Sequence, residues 1–490
     1  MSTETSSRQH ERRWLILAMV AVAQLMVVLD ATIVNIALPS AQRDLGFSND
    51  SRQWVVTAYA LAFGSLLLIG GRIGDYFGRK RALVAGLLGF ALASAMAGLA
   101  QSLGMLVAAR ALQGAFGALL APSALSILTT SFTDPQERGT AFGIYGAIAG
   151  GGGAIGLLLG GVLTQYIDWR STLFVNLLFA VPAAAAAVVL LVNELPVSRP
   201  KLDIPGVATA TAGLFALVYG FSNAETHGWG AALTVGSLAA AAVLLVAFVV
   251  LQARGTHPLL PLRVLLDRDR GASFGAMAIA GSGSFGVFLF LTYYLQRTLG
   301  FSPIKTGLAF LPMMGAVVAS ATLISTRILP RTGPRPLVPT GMLLAGIAML
   351  ALTRVGVHTG YASHVLPVLI VMGFGMGMIF APSMATATGA VDPEDAGVAS
   401  ALVNTMQQVG GSIGVALLST FSATAATSFV TSHGGPTSST LAAAAVHGYT
   451  TAFWWSAGIF FFGALFSATL LRSGAQVQEY DSVGAPAMAH

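Results

Sequence analysis

A carboxylate stands where lipid is expected. Asp30 lies in Leu29-Asp30-Ala31-Thr32-Ile33-Val34-Asn35-Ile36-Ala37-Leu38-Pro39, well inside the first long apolar stretch, whereas the other acids fall in loops, tails or span edges. Such a placement costs several kcal/mol unless the group is paired, hydrated or protonated. Desolvation favours a neutral acid and a nearby cation favours an ionised one. An acid poised between these influences can take a proton from one face of the membrane and release it to the other. That role outweighs the blander one of satisfying a neighbouring helix. Arg110 is the basic residue that lies deep within a span. Asp30 precedes Leu38 by 8 residues and Arg110 follows Gly104 by 6, or ~12 Å and ~9 Å at 1.5 Å per residue. The two charges therefore share a depth toward the outer half, and direct or water-mediated pairing is the economical arrangement. Gln113, Gly114 and Gly117 follow on the face of Arg110, a small polar stripe suited to a cavity wall. Asn35, Gln113, Asn404 and Gln407 are the candidate substrate-cavity residues. Asn404, Gln407, Gln408 and Gly411 share one helical face, where bonding across a helix interface competes with touching substrate.

Little other chemistry is on offer. The chain has no cysteine, which excludes disulfides, thiolate metal sites, iron–sulfur clusters and cysteine nucleophiles. Its 8 histidines show no metal-ligand spacing, so no metal is expected. Gly373-Phe-Gly375-Met-Gly377 and the run Gly150 to Gly153 sit inside apolar stretches with no strand before them, so they are not dinucleotide or phosphate loops. No Gly-Lys-Ser/Thr motif occurs, which argues against intrinsic ATP drive. No cofactor is expected, and the chain does not read as an enzyme.

The elements that must hold these charges follow from composition. Of 490 residues 55% are hydrophobic and 9% charged, against about 25% charged in soluble domains, which excludes a globular cytosolic enzyme. The 57 glycines suit close-packed membrane helices. Apolar stretches of about 20 residues predict an all-α polytopic membrane protein with fourteen spans. They run over 14–38, 52–71, 82–100, 104–130, 139–163, 172–192, 204–222, 232–252, 272–295, 304–324, 337–355, 365–390, 396–421 and 448–471. Between them, 18 of the 25 Lys and Arg fall on one side and 6 on the other, with Arg110 inside a span. The positive-inside rule then places both termini in the cytoplasm, with the chain multi-pass in the inner membrane. The net charge of +6 thus serves topology, and nucleic acid is not an expected partner. The first span is too long for a cleaved signal peptide. The small polar tail after Arg472 is expected to be disordered.

An internal repeat organises the spans. Gly114-Ala-Phe-Gly117 leading to Ala121-Pro122-Ser123 is echoed by Gly375-Met-Gly377 leading to Ala381-Pro382-Ser383. Asp134-Pro135-Gln-Glu137-Arg-Gly139 matches Asp392-Pro393-Glu-Asp395-Ala-Gly397, and Gly152, Gly153 and Gly156 match Gly410, Gly411 and Gly414, all 258 positions on. Spans 4 and 5 thereby map onto 12 and 13 in the same direction, predicting two parallel six-helix bundles with an inserted helix pair, spans 7 and 8. The expected domains are 14–192, a linker and inserted pair over 193–258, a second bundle over 259–471, and the tail 472–490. At the same offset Asp30 falls on Phe288, and Val, Leu and Ile stand at 368–370 near the place of Arg110, so the first half alone handles charge. The turn Gly71-Arg72-Ile73-Gly74-Asp75-Tyr76-Phe77-Gly78-Arg79-Lys80-Arg81 is a candidate gating loop through Gly71, Asp75, Gly78, Arg79 and Lys80. Its acid can bond a helix N-terminus or a neighbouring arginine and hold the inner side shut. The second half has Arg327, Arg331, Gly333 and Arg335 there, with no acid.

Over essentially its whole length the sequence resembles the major facilitator superfamily, and within it the fourteen-helix drug:proton antiporters. The Gly71–Arg81 turn is similar to the helix 2–3 signature of the superfamily. Leu106-x-x-x-Arg110-x-x-Gln113-Gly114 resembles its helix 4 signature, whose arginine is tied to proton transfer. The Leu29–Pro39 segment resembles the helix 1 signature of the fourteen-helix group. The glycine series Gly143, Gly146, Gly150 and Gly156 resembles the helix 5 antiporter signature, except that Leu157 replaces the proline of its Gly-Pro step. The resemblance implies alternating access about a central cavity and multidrug efflux driven by protons, with Asp30 and Arg110 as the coupling pair and Asp30 reached in turn from each side. Small-molecule substrate, protons and the bilayer are then the partners, and a monomer suffices because one chain holds both halves. The alternatives are an exporter dedicated to one natural product, an uptake symporter, and a non-transporting membrane sensor, which would need a soluble domain or signalling tail that is not read here.

Overall fold

The computed structural model describes residues 12–48, 51–132, 134–192, 203–255, 258–389, 391, 395–433 and 435–472; the expected disordered tail falls almost wholly outside them. Among the described residues there is no strand. The long helices are α1 (Arg13–Leu45), α2 (Gln53–Phe77), α3 (Arg79–Gly98), α4 (Leu103–Ser131), α5 (Pro135–Tyr166), α6 (Ser171–Leu190), α7 (Ile204–His227), α8 (Ala232–Arg254), α9 (Arg268–Tyr293), α10 (Pro303–Leu323), α11 (Leu337–Leu352), α12 (Leu366–Thr388), α13 (Ala396–Ser432) and α14 (Ser438–Leu470). Among the described residues, 11 helices are long and apolar enough to cross a membrane, and shorter apolar stretches lie in α2, α5 and α11.

Local sequence sets the ends of these helices. Ser102, Asp203, Asp267, Ser302 and Thr437 each accept a hydrogen bond from a free N–H of the first turn of α4, α7, α9, α10 and α14. Gly78 breaks α2 from α3 at φ +96°, a conformation that disfavours any side chain, and its N–H donates to Gly74 at 3.0 Å.

Packing repeats itself along the chain. In the first half α1 lies on α5 and α6, α2 on α4, and α3 on α4 and α6. In the second, α9 lies on α13 and α14, α10 on α12, and α11 on α12 and α14. Across the middle α2 meets α13 and α5 meets α10, while α7 pairs with α8 and leans on α2 and α13. The matched glycines do matching work. A methyl on Gly156 would strike the Leu29 backbone and the Thr32 hydroxyl of α1; one on Gly414 would strike the Ser282 backbone of α9. The paired acids also match, since Glu137 binds Arg13 at 2.7 Å and Asp395 binds Arg263 at 2.8 Å.

Both ion pairs lie on the face that holds the start of α1 and the end of α14, here called the terminal face. On the opposite face the ends of α1 and α9 are joined. The Tyr293 hydroxyl donates to Gln42 Oε1 at 2.8 Å and Gln296 Nε2 to the Ile36 carbonyl at 3.1 Å, while the Arg52 guanidinium covers the Tyr293 ring at 4.1 Å. The Leu157 carbonyl faces Gly307 closely enough that no side chain fits there. The half-molecules are therefore in contact at the opposite face.

Candidate functional site

Asp30 sits midway along α1 with a fractional exposure of 0%, against Arg110 of α4 at 2%. Arg110 Nη1 donates to Asp30 Oδ2 at 2.5 Å, so the pair is direct. Two amides reach the other oxygen: Gln113 Nε2 at 2.9 Å and Asn176 Nδ2, from α6, at 2.7 Å. Ser94 of α3 accepts from both amides, at 2.7 and 3.3 Å. The guanidinium spans a second set of acceptors, donating to Gln113 Oε1 at 2.9 Å and to the Val55 carbonyl of α2 at 3.2 Å, and it lies 4.4 Å above the Tyr59 ring. Five helices of the first half thus converge on one carboxylate.

Ionised, Asp30 accepts three hydrogen bonds and carries a full counter-charge. Arg110 is not held by the carboxylate alone, since Gln113 Oε1 and the Val55 carbonyl also accept from it. Asn176 Oδ1 has no partner among the described residues and is an acceptor held in reserve beside the carboxyl.

The other candidate residues take the following places. A carboxyl with a route to a central hollow is not what this conformation contains, because the side chain is sealed by its own partners and by packed neighbours. Gln113 is fully buried in the shell of Asp30 rather than on an open wall, and the stripe below it is a packing face: Gly114 lies on the Tyr59 carbonyl and Gly117 on the Phe63 ring, both of α2. Asn35 is also buried, its amide donating to the Ala31 carbonyl at 3.2 Å. Asn404 and Gln407 are half-buried on α13, Asn404 donating to the Ser400 carbonyl at 3.1 Å, and Gln408 lies by Gly64 of α2. The constant offset that set Asp30 opposite Phe288 is wrong by five positions. Gly156 meets Leu29 as Gly414 meets Ser282, so the counterpart of Asp30 is Gly283, and the Phe460 ring of α14 covers it.

The expected Gly71–Arg81 turn is helical except at Gly78: Gly71 lies within α2 against Pro122 of α4, and Arg79, opening α3, donates to the Ser126 carbonyl at 3.5 Å. Lys80 caps the end of α6, donating to the Val188 and Leu191 carbonyls at 2.7 and 2.6 Å. The side chain of Asp75 lies outside the described ones. Gly146 and Gly150 lie on α5, their surroundings likewise undescribed, whereas Gly156 packs on α1. With Leu157 in place of proline, α5 runs unbroken from Pro135 to Tyr166.

Comparison with known proteins follows the same lines. The sequence profile of the Major Facilitator Superfamily matches residues 20–415. The chain belongs to the major facilitator superfamily. Among its relatives, the puromycin resistance protein pur8 of Streptomyces alboniger is 48% identical over 94% of this chain and 92% of that protein. The tetracenomycin C resistance and export protein of Streptomyces glaucescens is 34% identical over 85% of this chain and 79% of its own. The multidrug resistance protein Stp of Mycobacterium tuberculosis is 32% identical over 80% and 73%. Among solved structures, an auto-inhibited POT family peptide transporter superposes with a TM-score of 0.69 at 17% identity, covering 96% of this chain and 98% of that one. A bacterial homolog of the lysosomal transporter Spinster gives 0.64 at 16%, over 94% and 96%. These two show the fold.

A major facilitator chain is a multi-pass membrane transporter of small molecules, not an enzyme, and Asp30 is to be read in that setting. Ser94, Tyr59, Asn176 and the Val55 carbonyl are the members of its shell that sequence reasoning missed. Asn176 alone left a signal, an amide isolated in the apolar run Leu173-Phe-Val-Asn176-Leu-Leu-Phe.

Proposed function

We propose that this chain is a proton-coupled exporter of hydrophobic or mildly cationic small molecules, working by alternating access as a monomer. The observation that carries the reading is the Asp30 carboxylate, buried against Arg110, which Gln113 and the Val55 carbonyl also hold. In this reading fourteen helices span the inner membrane, with 14–192 and 259–471 as the two bundles and 193–258 as linker and inserted pair. The repeated packing of α1–α6 in α9–α14 supports that division. The terminal face is cytoplasmic, as the charge bias favours. Substrate enters from the cytoplasm or inner leaflet, where Asn35, Asn404 and Gln407 are candidate contacts once the bundles part. Asp30 gives up its proton inward and Arg110 holds the resulting charge; reprotonation from outside expels substrate. The segment carrying Gly71, Asp75, Gly78, Arg79 and Lys80 steadies the inner end, and Gly156, on the same helix as Gly146 and Gly150, lets α5 approach α1.

The test is substrate uptake into inverted vesicles under an imposed proton gradient. Asp30→Asn is expected to retain substrate binding and to lose gradient-driven uptake; full coupled transport by this variant ends the proposal. A second reading has a specific support: pur8 and the tetracenomycin C exporter bear the name of a single antibiotic. A resistance panel with and without the gene separates the two, since protection against one compound alone favours a dedicated exporter.

A further inference from the structure

In this conformation Asp30 has no open path to the space between the bundles. A void of about 10 Å³, lined mostly by apolar side chains, is bordered by Arg110, by Val34, Ala37 and Ala41 on the outer part of α1, and by Trp169. That volume is about the size of one water molecule. It lies wholly between helices of the first half, so separation of the two halves is not needed to reach it. At its Trp169 side lies a polar knot at the opposite face. Trp169 Nε1 donates to Asp44 Oδ2 at 3.0 Å, and Arg170 Nη1 donates to the same oxygen at 2.5 Å. Arg170 Nη2 also ties down the Ala100 carbonyl at 3.1 Å, and its guanidinium stacks 4.5 Å above the Trp169 ring. Asp168, 3.6 Å from Arg170, is a competing anion that can hold the arginine if Asp44 lets go.

We infer that this seam is the outer entrance to the proton site and that Asp44, Trp169 and Arg170 form its lid. The lid needs only one indole to swing, and the exposed Asp44–Arg170 pair that restrains it is of the kind worth little in water. Entry inside one bundle separates the proton's path from the substrate's, so cargo between the bundles does not block reprotonation. The inference rests on the reading of Asp30 as proton carrier for its purpose, but its test does not.

The absence of cysteine makes the test clean. Ala37→Cys places a thiol in the void, and a small charged methanethiosulfonate is added to one face of oriented vesicles. The thiol is expected to react slowly, from the opposite face alone, and at least tenfold faster in combination with Trp169→Ala. Asp44→Asn, an exposed change that spares the fold, is expected to give a smaller acceleration of the same kind. Reaction from the terminal face, or a rate that neither lid variant changes, overturns the seam. Coupled transport by Asp30→Asn would instead sink the proton reading while leaving the measured access intact, so the two failures are told apart.

Discussion

A buried ion pair is costly to assemble and costlier to break. Taking Arg110 away leaves the Asp30 carboxylate without its counter-charge among five packed helices, and the loss from breaking such a pair is about 3–5 kcal/mol. Arg110→Ala is therefore expected to lower the thermal midpoint in detergent far more than Asp30→Asn, which leaves a neutral amide able to meet Gln113 and Asn176. Combining Arg110→Met with Asp30→Leu removes both charges and should recover much of the stability but none of the coupled transport. A double variant as unstable as Arg110→Ala alone would show that shape rather than charge holds this place. Asn176→Leu removes a donor to the carboxylate, a bond worth about 1.5–3 kcal/mol, and is expected to destabilise by that order in the same unfolding assay. Asp30 and Arg110 were legible in the sequence because a charge in lipid is costly wherever the helix points. Ser94, Tyr59 and Asn176 were not, because neutral polar side chains are tolerated in spans and only helix crossing decides which of them meet.

Glycine decides how closely the helices cross. In lipid there is no hydrophobic drive between helices, so close van der Waals contact and small residues carry association. Gly156→Ala would drive a methyl into Thr32 and the Leu29 backbone, and Gly414→Ala into the Ser282 backbone. Each is expected to cost about 1–3 kcal/mol, as overpacking does, read as a lowered thermal midpoint. Gly236→Ala on α8, with open space around it, is the control and should be neutral or slightly stabilising. Equal effects at all three would mean that glycine serves here for reasons other than approach. The same contacts explain where the sequence repeat misled. Loop and glycine matches gave the pairing of α5 with α13, but that offset does not carry back to α1 and α9, because the connecting segments of the two halves differ in length. Only the meeting of Gly156 with Leu29 and of Gly414 with Ser282 sets that register and exchanges Phe288 for Gly283. The exchange has a consequence: where α6 offers Asn176 to a carboxylate, α14 offers Phe460 to a glycine, so the second half keeps the packing and discards the charge.

Among the described residues, the hydrogen bonds between the two bundles gather at the opposite face. At the opposite face, hydrogen bonds from Tyr293 and Gln296 and the stacked Arg52 join α9 to α1 and α2. At the terminal face the ion pairs Arg13–Glu137 and Arg263–Asp395 each stay within one half, and Arg72, near the end of α2, donates to the Pro258 carbonyl at 3.3 Å. A molecule built this way keeps each bundle rigid at one end and fastens the bundles to each other at the other end. Release of cargo at the opposite face then requires the Gln42–Tyr293 contact to part. Cysteines placed at both positions and joined by a short bifunctional thiol reagent are expected to stop gradient-driven uptake into inverted vesicles, while the same variant left unlinked transports. Each single-cysteine variant should be indifferent to the reagent. Transport that continues through the crosslink would mean that α1 and α9 stay together through the cycle, and that the halves open along α2–α13 or α5–α10 instead.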